Sequence, residues 1–132
     1  AASQASTLEK VTGPADVAAH VRSLTHGAFK ETLYILALNP RRQVLDTMAV
    51  TGWMDGVTVD PRAIFGRALS VPGCAALIMA HNHPSGDPTP SNADRVMTKK
   101  VAAAGTALSL EVLDHVVVGS NGYTSLAAMG VL

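Results

Sequence analysis

CAALIMAHNHPSGDPTPSNAD, residues 74–94, decides the fold, because one unbroken stretch holds an inner strand, a stiff polar loop and the start of a helix. From Cys74 to His81 both alternating faces are apolar, the pattern of a strand covered on its two sides. Pro84, Pro88 and Pro90, with Gly86 among them, exclude a helix directly afterwards and stiffen the return of the chain toward the strand end. Ser91 and Asp94, at capping-box spacing, open a helix expected to reach about Ala104. Its expected apolar stripe is Ala93, Val96, Met97, Val101 and Ala104, with Asp94 on the border. Arg95 and Lys99 then fall on a solvated face, and Lys100 snorkels beside the stripe.

Working outward, GPADVAAHVRSL repeats Val17, Val21 and Leu24 at helical spacing behind Pro14, and ETLYILAL reads as a second strand with two apolar faces. NPRR turns that strand back into QVLDTMAV. After a loop containing Gly52 and Gly56, Asp60 and Pro61 cap a helix that buries Ile64, Phe65, Ala68 and Leu69. LSLEVLDHVVVG and YTSL are strands joined by the tight-hairpin dipeptide Asn121-Gly122. The order is helix, two strands, helix, strand, helix, two strands. Such an order predicts an α/β fold of three layers, a mixed central sheet flanked by helices. Residues 1–11 are expected to be a flexible tail and 12–132 one domain.

Apolar residues make up 48% of the 132 and charged ones 15%, a composition that folds compactly and excludes disorder and coiled coil. Ten Lys plus Arg balance ten Asp plus Glu, so net charge supplies none of the counterion-release drive of a dedicated nucleic-acid binder. Cys74 is the single cysteine, which excludes an internal disulfide and fits a reducing compartment; a cytoplasmic location is expected. No apolar run approaches the roughly 18 residues of a membrane span, and no membrane partner is expected. Starting at Ala1 without a methionine, the chain is expected to be a piece of something longer.

Chemistry gathers at the quoted loop. Residues two apart on a strand lie about 6 to 7 Å apart on one face, so His81 and His83 can aim both imidazoles at one point while Asn82 faces elsewhere. A catalytic zinc site needs three protein ligands and accepts imidazole with carboxylate, which makes Asp94 the nearest third candidate. Two bland readings stand beside this one: a capping pair for Ser91 and Asp94, and a structural histidine pair at a strand end. Hydrolysis at a metal also wants a base. Glu31 starts its strand on the side of Leu33 and Ile35, where apolar surroundings raise proton affinity; its bland reading is a solvated glutamate. His20 and His26 are read as surface residues, and His115 as a satisfied core histidine, with a role behind the site as the alternative.

Glu31, then His81-x-His83, seven residues, Ser91, two residues and Asp94 resembles the pattern of the JAMM metalloproteases, also called MPN-plus or JAB domains. HNHPSGDPTPSNAD, with DPRAIFGRAL before it and LDHVVVG after it, looks like the RadC branch, from about Thr12 onward. The resemblance implies a deaminase-like JAB/MPN fold and a zinc-dependent hydrolase of peptide or isopeptide bonds. It implies one zinc ion held by His81, His83 and Asp94 with a water as fourth ligand, Glu31 as general base and Ser91 steadying the oxyanion. A protein or peptide substrate follows. Asn82 stands where deubiquitinating members usually carry Ser or Thr, and 132 residues leave no room for the insertions that grip ubiquitin, so ubiquitin-like substrates are not implied.

The alternative is a DNA-associated accessory module of recombination or repair, by family association. RadC proteins commonly carry a helix-hairpin-helix segment that these 132 residues do not contain. A nuclease reading of the letters H-N-H fails because that motif is dispersed over a ββα unit. A zinc deaminase reading fails because one cysteine cannot supply its ligand set.

Overall fold

The computed structural model describes residues 8–26, 30–50 and 59–132. Its elements run α1 (Pro14–Thr25), β1 (Leu33–Leu38), β2 (Val44–Ala49), α2 (Pro61–Leu69), β3 (Ala76–Asn82), α3 (Asn92–Ala107), β4 (Glu111–Val118) and β5 (Tyr123–Ser125). The five strands form one sheet in the order β2-β1-β3-β4-β5. β3 runs parallel to β4, and the other neighbours are antiparallel. The fold is the expected α/β arrangement around a mixed sheet, consistent with a JAB/MPN domain.

Strand alternation sorts the core into two layers. Leu33, Ile35 and Ala37 of β1, with Leu77 and Met79 of β3, meet Ile64, Phe65 and Ala68 of α2 and Met97 and Val101 of α3. Leu36, Leu38, Ile78, Ala80, Val116 and Val118 point the other way, onto Val17, Ala18 and Val21 of α1. β1 and β3 therefore carry apolar residues on both faces because both faces are covered. His81 continues the Leu77-Met79 row toward α3, and Asn82 continues the Ile78-Ala80 row toward α1. A parallel β3–β4 pair needs a crossover, which is α3, and the chain between strand end and helix start must fit the site loop.

Four expectations change. The buried face of α3 is Asp94, Met97, Thr98, Val101 and Gly105, while Val96 is 60% exposed, so Asp94 lies on the inward stripe itself. A small glycine and a threonine do not count as apolar in a sequence pattern, which turned the expected stripe toward Val96. His20 is buried, its Nε2 3.0 Å from Thr47 Oγ1, because α1 lies close over the sheet. Leu69, expected in the core, is 59% exposed at the end of α2. The expected tail 1–11 has residues 1–7 outside the described residues, but its last residues are tied down. Val44 N–H donates to Glu9 O at 2.8 Å, Val11 N–H donates to Arg42 O at 3.0 Å, and Val11 is buried. The loop with Gly52 and Gly56 also lies outside the described residues.

Candidate metal centre

β3 brings His81 to the α3 side at 0% exposure. His83, one residue past the strand, keeps its register because its N–H donates to Val118 O of β4 at 2.9 Å. The two Nε2 atoms come within 2.9 Å of each other. The loop then folds back: Gly86 has φ +91°, a left-handed conformation that glycine takes without a Cβ penalty. This turn puts the Asp87 carbonyl 2.8 Å from His83 Nδ1. A carbonyl only accepts, so Nδ1 carries the hydrogen and the His83 Nε2 lone pair faces His81. Gly119 fits the same turn, since a Cβ there would collide with the Gly86 carbonyl.

Asp94 occupies the third turn-position of α3. Its N–H donates to Ser91 Oγ at 3.0 Å and its Oδ2 accepts the Ser91 N–H at 2.8 Å, a complete capping box. The same carboxylate is 1% exposed and reaches both imidazoles, Oδ1 at 3.5 Å from His81 Nε2 and Oδ2 at 3.4 Å from His83 Nε2. The capping reading and the ligand reading are thus compatible: one carboxylate caps the helix and faces the histidines. Burial alone would raise its pKa. The hydrogen bond and then the charge that a protonated His81 would supply, with the Ser91 N–H and hydroxyl, outweigh that and hold the carboxyl well below its ordinary value.

Glu31 lies just before β1, not within it, and approaches from the other side with Oε1 3.8 Å from His83 Nε2. It is 15% exposed at the side chain, as is His83. Glu31, His81 and His83 each offer a ligand atom within 4.8 Å of one another, a group able to hold a metal ion. Asp87, also in the loop, is spent elsewhere: its Oδ1 accepts the Thr89 N–H at 2.9 Å and hydroxyl at 2.7 Å.

Three residues around the cluster escaped sequence reasoning in whole or part. His115, fully buried on β4, places Nε2 2.7 Å from His81 Nδ1, so it stands behind the site and is more than core filling. Burial, then the nearby His81, pushes its pKa well below the ordinary histidine value. Thr98 joins His115 to α3, with Oγ1 2.6 Å from His115 Nδ1. Asn82 holds the chain on both sides of Glu31: its Oδ1 accepts the Thr32 N–H at 2.8 Å and its Nδ2 donates to Lys30 O at 3.1 Å. Apolar neighbours around His115 and the placement of Asn82 between two histidines were the only signals available. A cavity of about 300 Å³ opens beside His83, next to Asn82, Pro84 and Arg22.

Residues 11–131 match the family described as a RadC-like JAB domain. The chain is 45% identical over 103 residues to a UPF0758 protein of Symbiobacterium thermophilum, covering 77% of this chain and 44% of the relative. A UPF0758 protein of Desulforamulus reducens is 38% identical over 134 residues, 100% of this chain and 58% of the relative. One from Listeria monocytogenes is 40% identical over 103 residues, 77% and 46% of the two chains. The chain spans about half the length of the curated relatives it matches.

Proposed function

The chain belongs to the RadC-like JAB domain family, and on that premise we propose that it is a zinc-dependent hydrolase of peptide or isopeptide bonds. One observation carries the reading: two imidazole nitrogens 2.9 Å apart share a buried carboxylate 3.5 and 3.4 Å away, with a second carboxylate 3.8 Å from His83. Two nitrogens and a carboxylate oxygen suit zinc, so the residues present fit the ion that the family implies.

His81, His83 and Asp94 are assigned as the ligands. Asp94 is chosen over Glu31 because it faces both imidazoles and is fixed by its capping bonds, whereas Glu31 approaches His83 from a more exposed side. Zinc held there would act as a Lewis acid, polarising the scissile carbonyl and lowering the pKa of water to about 7. Glu31 takes the proton of the attacking water and passes it to the leaving amine. Ser91 Oγ accepts the Asp94 N–H and has one hydrogen to donate, to Asp94 at rest and to the developing oxyanion during reaction. The cavity beside His83 is lined from the α1 side by Arg22 and Asn82, so a substrate chain lying in it would reach the cluster at His83.

Glu31→Gln is the test. Zinc content of protein purified without added metal should match the wild type, while cleavage of a peptide library falls by about 100-fold or more. Equal cleavage by the two proteins would remove the proposed role. The accessory DNA role makes the opposite forecast, salt-dependent retention on DNA by a protein that cleaves no peptide. A cytoplasmic setting belongs to this reading, supported by the lone cysteine; among the described residues no helix is long and apolar enough to cross a membrane.

A further inference from the structure

We propose that His115 and Thr98 form a proton-ordering relay that keeps the hydrogen of His81 on Nδ1 and turns its Nε2 lone pair toward His83 and Asp94. Both are positioning residues, and the proposal rests on the reading of His81 as a metal ligand. A histidine that binds metal through one nitrogen usually donates the other N–H to a carboxylate, carbonyl or water. His83 does so with the Asp87 carbonyl. The Nδ1 of His81 instead meets an imidazole, His115 Nε2 at 2.7 Å, which can donate or accept. Something further must choose.

Thr98 makes the choice. Its Oγ1 lies 2.6 Å from the Asp94 carbonyl and 2.6 Å from His115 Nδ1. At 2.6 Å each of these contacts needs a hydrogen, and the hydroxyl has only one; the longer 2.9 Å contact between His81 Nε2 and His83 Nε2, where the cation of the proposed function would sit, is the one that goes without. The carbonyl has none to give, so the hydroxyl hydrogen goes to Asp94 O, and the other contact takes its hydrogen from His115 Nδ1. Neutral His115 then presents a lone pair at Nε2. A second hydrogen there would charge a ring at 0% exposure whose nitrogens, among the described residues, meet a hydroxyl and another imidazole. His81 Nδ1 is therefore the donor, and its Nε2 lone pair faces His83 and Asp94. The opposite order, with Nε2–H of His81 donated to His83, would leave the Thr98 hydroxyl against the Asp94 carbonyl without a hydrogen between them.

The relay ties three elements: His81 on β3, His115 on β4 and Thr98 on α3, ending on the peptide carbonyl of Asp94, whose own carboxylate faces His81. Any shift of α3 against the sheet disturbs the ligand and its tautomer together.

The test is long-range nitrogen NMR of the histidine rings in metal-free protein, about two pH units above the ordinary histidine value of about 6.5, with zinc affinity by chelator competition. Wild-type His81 and His115 should both carry hydrogen on Nδ1. Thr98→Val, which keeps shape and removes the hydroxyl, should move hydrogen to Nε2 of His81 in part or whole and weaken zinc binding about 10- to 100-fold. Thr98→Ser should restore both. A wild-type His81 with hydrogen on Nε2 overturns the relay without any variant, as do unchanged ring signals and zinc affinity in a folded Thr98→Val protein. Zinc binding and peptide cleavage alongside that opposite tautomer would leave the hydrolase reading standing. An intact relay in a protein whose Glu31→Gln variant cleaves normally would do the reverse.

Discussion

The two sides of the cluster are held in different ways. On one side His81, Asp94, His115 and Thr98 sit at or near zero exposure, bound to each other across two strands and a helix. On the other, Glu31 stands at the entrance to β1, partly exposed, its backbone gripped by the amide of Asn82. Buried polar groups are costly to orphan, so the first side is over-determined and tolerates little movement. A proton carrier must reach both water and a leaving group, and the second side leaves that access. Damage to the two sides should separate accordingly: metal affinity is lost on one, while turnover falls with the metal retained on the other.

The largest expected effect is on the buried side. Asp94→Ala removes the shared carboxylate and half of the capping box, so zinc should be lost from purified protein and cleavage fall to background. Urea unfolding of the metal-free form should show a loss of about 1 kcal/mol or more from the cap. Acid titration sharpens the point. Because the folded Asp94 carboxyl is depressed, its contribution is present above the ordinary carboxylate pKa of about 4 and is lost as pH falls through the folded value. Asp94→Asn should flatten that part of the acid-unfolding curve; an unchanged curve would show that the carboxylate contributes nothing to the buried side.

Ser91 joins the two behaviours and comes next. Ser91→Ala should cost about 1 kcal/mol of stability through the lost cap, whereas Ser91→Gly costs only a few tenths. If the hydroxyl also serves the oxyanion, both variants should lose a similar factor in turnover, roughly 100-fold, with zinc retained. Turnover that follows stability instead, falling in Ala and spared in Gly, would leave Ser91 a capping residue only.

How far the sequence could be read follows the same division. Element order was legible because β1 and β3 are apolar on both faces and each helix has an ordinary start: Pro14, Asp60 with Pro61, and Ser91 with Asp94. The imidazole pair and its carboxylate were legible because His81, His83 and Asp94 lie within one short loop and helix turn. The supports were not. His115 meets His81 across 34 residues and Asn82 meets Lys30 across 52, and neither spacing nor periodicity encodes a partner that far away. Thr98 and Gly105 face inward because one reaches His115 and the other packs close beneath Phe65 and Val112, neither of which counts as hydrophobicity. Val96, apolar and exposed, misled for the same reason.

Asn82 supplies the smallest expected effect and the finest test of the contrast. Its amide reads the peptide on both sides of Glu31, accepting from Thr32 N–H and donating to Lys30 O, so it extends the ladder of β3 one residue pair beyond where β1 begins. Asn82→Ala should leave zinc content and the His81 ring signals unchanged, because Asn82 points toward α1 and away from the ligands. Its stability loss should be about 1 kcal/mol, the ordinary net contribution of a hydrogen bond. Turnover should fall about 10-fold, as a base displaced by a fraction of an ångström loses alignment. Asn82→Asp keeps the acceptor for Thr32 and loses the donor to Lys30, so it should fall between. The decisive measurement is the double variant: if Asn82 acts only by placing Glu31, Asn82→Ala should cost nothing further in turnover once Glu31 is Gln. A full additional 10-fold loss in that background would assign Asn82 to substrate contact from the neighbouring cavity, and the exposed side would then hold two working groups instead of one.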